Sequence, residues 1–417
     1  MVVIAPREER GTTFGDVFAV TEFRALWSAQ LLSIIGDQLA RVALTVLVYH
    51  QTRSPLLAAV TFTASLVPNF FGGILLSPIA DRLPRRQVMI GTDLVSCLLV
   101  AVMAVPGVPL AVLIILLAAV TMVGALFQAS RAATMPDVLA GDRYVLGSAV
   151  TITTMQFAQV LGFAVGGVTV AFLGLRPSLL ADAATFAASA LIARIWVHTR
   201  PAPALTPGAE RPRPDRPLSG LRLVFTRPAL RTAMLFGWLC AFYNVPEGVA
   251  TPLAAGLHGG AVTVGLILAS AALGSTVGAL AFSRLVPPAQ RIRFMGPLAV
   301  AACGLLILFA VHPGPAGALI ILAASGLCTC YQLAANASFV RATPPEQRSQ
   351  AFGIAQGGIN LGQGLVIVLA GAAAERFTPD AVIYAVGALG ALCAVLLAVS
   401  PAARPRPAAS AASEQPG

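Results

Sequence analysis

The chain has 417 residues, of which 57% are hydrophobic and only 11% are charged, and its mean hydropathy is +0.83. Soluble domains carry roughly a quarter charged residues, so this composition excludes an ordinary soluble protein. The net charge of +10 comes from 27 arginines without a single lysine. These arginines are spread over short loops without an aromatic or glycine-rich surface, so the charge indicates contact with anionic membrane lipids and not with nucleic acid.

Twelve apolar runs follow one another along the chain, and each is long enough to cross the hydrocarbon layer as a helix of about 20 residues. We number them spans 1 to 12, and they lie at about residues 25–50, 57–80, 87–106, 109–130, 144–172, 176–196, 229–255, 261–283, 293–311, 314–338, 349–372 and 378–399. The sequence therefore predicts an all-α integral membrane protein with twelve transmembrane helices.

The segment between spans 6 and 7, residues 197–228, is rich in proline and charge, so it can neither form a packed core nor cross a bilayer. We predict that it is a linker between two six-helix bundles, residues 25–196 and 229–399, with tails at 1–24 and 400–417. Similar segments leave spans 4 and 10, SRAATMPDVLAGDRYVLGSAV and ASFVRATPPEQRSQAFGIAQ. This repeat predicts two pseudo-symmetric halves, because transporters are commonly built by duplicating a helical bundle.

The arginines also predict the orientation of the spans. The tails and the even-numbered loops, together with the span ends beside them, hold 23 of the 27 arginines, whereas the odd-numbered loops and the span ends beside them hold only Arg53, Arg176 and Arg376. Basic loops are retained on the cytoplasmic side during insertion. We therefore expect both termini and the linker to be cytoplasmic, and the stretch before span 1 shows no signal-peptide pattern.

The loop between spans 2 and 3 reads SPIADRLPRRQVMIG and carries four charged residues between two apolar helices, namely Asp81, Arg82, Arg85 and Arg86. On its own, this run could be a solvated cytoplasmic loop. It resembles the signature loop GxxxDRxGRR of the major facilitator superfamily, with Ser77 and Pro84 in place of its two glycines. The resemblance implies that Asp81 pairs with charges at the helix ends and stabilises one state of the transport cycle. Arg131, at the end of span 4, is the expected partner of Asp81.

Other segments extend this resemblance over most of the chain. FRALWSAQLLSIIGDQLARVAL in span 1 and DAATFAASALI in span 6 resemble the bacterial branch that includes macrolide and enterobactin exporters. LGFAVGG in span 5 is similar to the antiporter motif GPxxGG, with Gly162, Gly166 and Gly167 present and Phe163 in place of the proline. The resemblance implies the major facilitator fold, a bacterial inner-membrane location and export by antiport.

Ionisable residues inside the spans are candidates for proton coupling, because an intramembrane charge usually faces a cavity or a partner. Asp37 and Arg41 lie four residues apart in span 1, on one helical face. Asp37 is either a protonatable coupling group or one member of a static ion pair with Arg41. Glu247 in span 7 is either a cavity acid or a gate residue. Asp93 and Asp182 are expected nearer helix ends, where they would pair with loop arginines.

Uncharged polar and aromatic residues within the spans mark a possible substrate cavity. They are Gln30, Asn69, Gln128, Gln156, Trp238, Asn244, Gln332, Asn336, Asn360 and Gln363. Hydrogen bonds between helices are the other explanation for the amide side chains, and packing is the other explanation for the tryptophan.

The sequence gives no indication of a metal, a cofactor or an enzymatic reaction. The six cysteines fall inside apolar runs without matched CxxC pairs, and the four histidines show no helical i, i+4 spacing. A Walker A sequence is absent, as are HExxH and GxSxG motifs. Energy for transport must then come from an ion gradient or from the substrate's own gradient.

These observations and the resemblance together predict a secondary active transporter that works as a monomer by alternating access. We expect proton-coupled efflux of a hydrophobic or amphipathic small molecule, such as a drug, a natural product or a siderophore. Uptake of a nutrient by symport or facilitated diffusion is the alternative. A membrane-embedded enzyme acting on lipid is a remote third hypothesis.

The topology predicts which loops a membrane-impermeant maleimide reaches in intact cells. A cysteine introduced as Ser219→Cys in the linker should stay unlabelled until the membrane is permeabilised. The matched variant Arg376→Cys, in an odd-numbered loop, should be labelled at once. Mass shifts on purified protein measure both, and labelling of the linker cysteine from outside would contradict the predicted orientation.

Overall fold

The computed structural model describes residues 13–76, 82–200, 225–288, 290–344 and 348–400, and every regular element in these ranges is a helix. Eleven helices in the described ranges are long and apolar enough to cross a membrane. They are Thr21–Thr52, Pro55–Leu75, Arg85–Met103, Leu110–Val138, Asp142–Leu173 and Leu175–Trp196 for spans 1 to 6, and Ala261–Leu285, Arg291–Val311, Pro315–Ala342, Arg348–Ala373 and Pro379–Val399 for spans 8 to 12. The predicted all-α membrane class is confirmed.

Span 7 differs from the other spans because it is not one continuous helix. It consists of four short helices, Pro228–Trp238, Cys240–Tyr243, Val245–Gly248 and Ala250–Gly256. Its sequence contains Pro246 and Pro252, and proline lacks the backbone N–H that a helix interior needs. Broken backbone at membrane depth is tolerated where it lines a cavity or is buried in protein.

Three more spans change geometry within their length. Span 2 consists of Pro55–Ala64 and Val67–Leu75, with a break at Ser65 just before Pro68. Span 9 passes from an α-helix, Arg291–Gly304, into the 3₁₀ helix Leu305–Val311, and span 10 consists of Pro315–Cys328 and Tyr331–Ala342. Such breaks free backbone carbonyls that side chains can then use.

A short helix, Phe14–Phe18, precedes span 1. Asp16 closes a capping box with Thr13, whose backbone N–H donates to the Asp16 carboxylate at 2.8 Å, and this hydrogen bond lowers the pKa of Asp16. Phe18 packs edge-on against Phe23 and Trp27 of span 1. The helix is thereby fixed against the first span.

The spans pack as two groups that meet along two helix pairs. Span 1 contacts spans 5 and 6, and span 3 contacts spans 4 and 6, while span 8 packs on span 10 and span 9 on span 12. Span 5 contacts span 8, and span 2 contacts span 11, which joins the first six spans to the last six. A buried apolar cluster that includes Phe62 and Phe163 of the first group with Val249 and Ile367 of the second fills this junction.

Large apolar side chains on the outside of the bundle face outward instead of inward. Leu98, Ile115 and Phe172 are 64%, 65% and 81% exposed, and many other leucines, isoleucines and valines are similarly exposed. An apolar surface of this extent would promote aggregation in water, whereas hydrocarbon chains solvate it at no cost. The exposed surface therefore agrees with a protein embedded in lipid.

Glycines permit the closest helix approaches. A methyl group at Gly278 of span 8 would collide with the backbone carbonyl of Leu327 in span 10. A methyl group at Gly91 of span 3, in contrast, would have no atom of another span within 4 Å. Backbones that touch in this way gain packing contacts along the whole crossing, which is how helices associate in a membrane.

Replacing Gly278 by Ala should therefore destabilise the fold. Overpacking costs about 1–3 kcal/mol, so the purified protein in detergent should unfold several degrees lower. The matched variant Gly91→Ala adds the same methyl group to an open helical position and should be neutral or stabilising by about 0.4–1 kcal/mol. Thermal unfolding of both variants tests this, and equal unfolding temperatures would contradict the described helix crossing.

Candidate functional site

Two polar cavities lie at the middle depth of the spans. The first, which we call the N-half cavity, has a volume of about 100 Å³ and is lined by spans 1, 2, 3, 4 and 6. The second, the interface cavity, has a volume of about 310 Å³ and is lined by spans 7, 8 and 10 together with Gln156 and Gln159 of span 5. The second cavity therefore lies where the two groups of spans meet.

Arg41 is held in the N-half cavity by span 2. Its guanidinium donates to the backbone carbonyl of Ser65 at 3.4 Å and lies 5.4 Å from the ring centre of Phe62. The Ser65 carbonyl is accessible because the helix breaks there, and the N–H of Asn69 bonds to Leu66 instead. The break in span 2 thus leaves the acceptor that positions an arginine of span 1.

Arg41 lies between two carboxylates that belong to different groups of spans. It interacts electrostatically with Asp37, one turn earlier in span 1, and with Glu247, which lines the interface cavity from span 7. All three side chains are half-buried, and no direct ion pair joins Arg41 to either acid within the described residues. Because neither acid is locked to the arginine, a change in the charge of one acid alters how strongly Arg41 attracts the other.

Asp93 and Asp182 also belong to the N-half cavity, so the expectation that they pair with loop arginines near helix ends is wrong. They are 2% and 1% exposed and line this cavity with Asp37. Asp93 accepts a hydrogen bond of 2.5 Å from Ser189 in span 6, and Asp182 accepts a long one of 3.4 Å from Thr185. Each acid lies near the middle of its helix, and among the residues that the structure describes no arginine forms an ion pair with it.

Several predicted cavity residues do line the two cavities. Gln128 and Asn69 line the N-half cavity, and Gln30 donates to Gln128 at 2.8 Å, which ties span 1 to span 4. Asn244, Gln156 and Gln332 line the interface cavity. Gln332 donates to the Tyr243 hydroxyl at 2.9 Å and to the Gly237 carbonyl at 3.1 Å, so it holds span 10 against the broken span 7.

Five predicted cavity residues do not line either cavity, and Gln30, which bonds to Gln128, is one of them. Trp238 donates from Nε1 to the Ala355 carbonyl at 3.1 Å and packs against span 11. Asn360 accepts from Gln356 at 3.3 Å. Asn336 is exposed, and Gln363 is buried with 8% exposure.

The three antiporter-like glycines serve two different helix crossings. Cβ atoms at Gly162 and Gly166 would lie 2.9 Å from the Gln38 Cβ and 3.1 Å from the Leu39 Cα, both in span 1. A Cβ at Gly167 would lie 2.7 Å from the Ala261 carbonyl oxygen in span 8. Gly167 therefore lies at the contact between the two groups of spans.

The charged loop between spans 2 and 3 is described only in part, because Asp81 lies outside the described residues. Arg82 is exposed. Arg85 donates to Asp137 at the end of span 4 at 2.7 Å, and Arg86 donates to Thr199 Oγ1 and to the Arg194 carbonyl. Arg131 is buried, with 8% exposure, at the same end of span 4.

The sequence did not reveal an ionic cluster that continues from this loop. Glu22, at the start of span 1, accepts hydrogen bonds of 2.5 and 2.9 Å from Arg200 and one of 3.0 Å from the His198 N–H. Arg200 also lies 4.0 Å from Asp137. The Glu22 carboxylate raises the pKa of the Arg200 guanidinium, which therefore stays charged. This cluster attaches the beginning of the linker to spans 1 and 4.

Among the described residues, no group of three or more His, Cys, Asp or Glu side chains could hold a metal ion. The site therefore consists of five ionisable side chains and a set of amides and hydroxyls around two cavities. Such an arrangement can bind protons and a small molecule. It also allows Arg41 of the first group of spans to attract Glu247 of the second group.

The sequence profile of the Major Facilitator Superfamily matches residues 26–331 and 248–416. The enterobactin exporter EntS of Citrobacter koseri is 27% identical over 285 residues, and the multidrug efflux pump Tap of Mycobacterium bovis is 28% identical over 283 residues. The first match covers 63% of this chain and the second 62%. The chain spans 63% and 64% of the length of these curated relatives.

Solved structures share the fold at low sequence identity. A POT family transporter in complex with 5-aminolevulinic acid superposes with a TM-score of 0.73 at 10% identity, covering 93% of this chain and 97% of that one. The nucleoside transporter NupG gives a TM-score of 0.68 at 14% identity, with coverages of 89% and 98%. A bacterial homologue of the iron transporter ferroportin, in an inward-facing state, gives 0.62 at 16% identity, with coverages of 93% and 100%.

Proposed function

Because the chain belongs to the major facilitator superfamily, we propose that it is a secondary active transporter that exports a hydrophobic or amphipathic small molecule in exchange for protons. Relatives named as an enterobactin exporter and a multidrug efflux pump support the direction and the substrate class. The location in a bacterial inner membrane, the cytoplasmic termini and the monomeric state belong to the same proposal.

The observation that carries this proposal is the position of Arg41 between Asp37 and Glu247. When Glu247 is ionised, the positive charge of Arg41 attracts it across the junction of the two bundles, 25–196 and 229–399. Protonation of Glu247 removes that attraction, so that of these two acids only Asp37 still attracts Arg41. A proton thus changes the free-energy difference between two arrangements of the bundles, which is the requirement for coupling.

The contacts between the two bundles support a state that is closed to the outside. Glu375, at the end of span 11 away from the arginine-rich loops, accepts hydrogen bonds from Ser54 and from the Leu56 N–H, the latter at 3.1 Å. Gly371 meets the backbone of Pro55 at the same end, and Gly167 meets Gly265 in spans 5 and 8. If the arginine-rich loops are cytoplasmic, these contacts close the outer side and leave the interface cavity to open inward.

In this proposal, the loop between spans 2 and 3 stabilises the closed cytoplasmic side in the outward-facing state. Arg85 and Arg86 attach the beginning of span 3 to the end of span 4 and to Thr199, just after span 6. We propose that Asp81 pairs with Arg131 or with a helix end of the other bundle in the outward-facing state. Gly167, one of the three antiporter-like glycines, then lets spans 5 and 8 slide past each other without a steric barrier.

Uptake by symport remains the alternative, and the direction of transport distinguishes the two. The peptide and nucleoside transporters among the solved structures share only the fold with this chain, at 10–14% identity. Everted membrane vesicles provide the test, with the compound supplied outside one set and preloaded into a second set, since an exporter moves substrate into the vesicles when their lumen is acidified.

We expect Asp37→Asn to abolish proton-driven transport of ethidium, tetracycline, erythromycin or enterobactin in these vesicles while the protein stays inserted. The amide keeps the shape of the side chain but cannot bind or release a proton, so the negative charge one turn from Arg41 is lost and no longer varies with pH. Transport rates with and without an imposed pH gradient measure the effect, and the loss should be at least tenfold for a compound that the unmodified protein transports.

Asp142→Asn, an exposed acid at the start of span 5, is the matched control and should transport normally. Gradient-driven transport by the Asp37→Asn variant at the normal rate would contradict the coupling role of Asp37. Movement of every transported compound out of acidified everted vesicles would contradict export and support the uptake alternative.

A further inference from the structure

We propose that the N-half cavity is a second proton-binding site, in which the carboxyl groups of Asp93 and Asp182 hold protons apart from the centre formed by Asp37, Arg41 and Glu247. The site would supply protons to Asp37, a role that rests on the proposed antiport function. The binding of the protons themselves does not depend on that function.

The first argument is the surroundings of Asp182. The side chain is 1% exposed and lines the cavity, yet its Oδ2 atom has no hydrogen-bond partner within the described residues. Its other oxygen receives only the 3.4 Å bond from Thr185. A buried ionised carboxylate normally accepts several hydrogen bonds or pairs with a cation, whereas a neutral carboxylic acid needs far fewer.

The second argument is the charge that faces Asp182 from the neighbouring spans. Span 1 contributes Asp37 and Arg41, span 3 contributes Asp93 and the thiol of Cys97, and Asp37 acts electrostatically on both buried acids. Spans 2 and 4 contribute only neutral lining groups, including Asn69 and Gln128. Three carboxylates thus share one arginine, which Glu247 also attracts.

Full ionisation would therefore leave the cavity with an excess of at least two negative charges in a place that is largely shielded from water. Negative charges that share one cavity strongly disfavour each other in a medium of low polarity. Two protons bound among the three acids restore neutrality with Arg41. The nearly complete burial of Asp93 and Asp182, against the half-buried Asp37, assigns the protons to the first two.

The packing favours a proton over a metal ion as the ligand. The described acids form no cluster with the geometry of a metal site, and the guanidinium of Arg41 would repel a cation in the same cavity. Gly36 of span 1 provides the space for Asp182, because a Cβ there would collide with the Asp182 carboxylate and the Thr185 hydroxyl. Asp182 is therefore directed at the turn of span 1 that carries Asp37.

The proposed transfer is a simple proton exchange. The O–H bond of the Asp182 carboxylic acid breaks, the proton passes through the cavity, and a new O–H bond forms on the Asp37 carboxylate. Asp182 becomes ionised and Asp37 becomes neutral, with no other bond changed. The polar lining gives room and partners for water to carry the proton.

Infrared spectroscopy of the purified full-length protein in lipid nanodiscs tests the binding directly. At neutral pH, the unmodified protein should show carbonyl-stretch bands of protonated carboxylic acids that shift in heavy water. Asp182→Asn and Asp93→Asn should each remove one band. Ser189→Ala should shift the Asp93 band alone, because it deletes the 2.5 Å hydrogen bond without removing the acid.

The control Asp142→Asn, an exposed acid, should leave these bands unchanged. Absence of the bands from the unmodified protein at neutral pH would overturn the proposal even if a variant fails to fold. Their persistence in both folded Asn variants would overturn it as well. Loss of the bands on addition of sodium, potassium, magnesium or calcium ions would instead identify a metal-cation site.

The transport measurements described for Asp37→Asn separate this proposal from the proposed function. Lost bands in the variants, together with no gradient-driven transport by the unmodified protein, would leave the proton site standing without antiport. Absent bands, together with normal proton-driven export, would remove only the second site.

Discussion

The cost of placing a charge in hydrocarbon governs both the architecture and the chemistry of this protein. It confines 23 of the 27 arginines to the tails, the even-numbered loops and the span ends beside them, and it leaves Arg41 as the arginine near the middle of an apolar run. It also explains why the intramembrane acids lie around cavities and not on the lipid-facing surface, where residues such as Leu98 and Phe172 are exposed. The same energetic cost thus determines how deep in the membrane a charged residue lies and which side of its helix carries it.

Breaks in two helices place polar groups in the two cavities. Proline interrupts span 2 beside Ser65, whose free carbonyl receives Arg41, and it interrupts span 7 where Asn244 and Glu247 enter the interface cavity. Each break exposes backbone acceptors that only a cavity or another side chain can satisfy. The two broken spans belong to different groups of spans, and Arg41, which the first break positions, interacts electrostatically with Glu247 in the second.

Much of the fold was predictable because it depends on composition that repeats along the chain. The all-α membrane class and the superfamily fold are confirmed, and in the described residues eleven of the twelve predicted spans are helices long enough to cross a membrane. The interruption of span 7 was missed, although Pro246 and Pro252 were a signal for it. The placement of Asp93 and Asp182 was wrong because the sequence does not show which helices face each other: both acids lie about two turns inside their helices, where Ser189 and Thr185 donate to them. The cluster of Glu22 with Arg200 joins residues 178 positions apart, which no local pattern reveals.

The central claim is that protonation at the Arg41 centre changes how the two bundles meet, and electron-spin distance measurements test it most directly. Spin labels at the exposed positions Val145 and Leu285, at the arginine-rich ends of spans 5 and 8, report the separation of the bundles once the native cysteines are replaced. The account predicts that acidification shifts the distance distribution, and that Glu247→Gln adopts the acidic distribution already at neutral pH. Identical distributions at both pH values and in both proteins would contradict it.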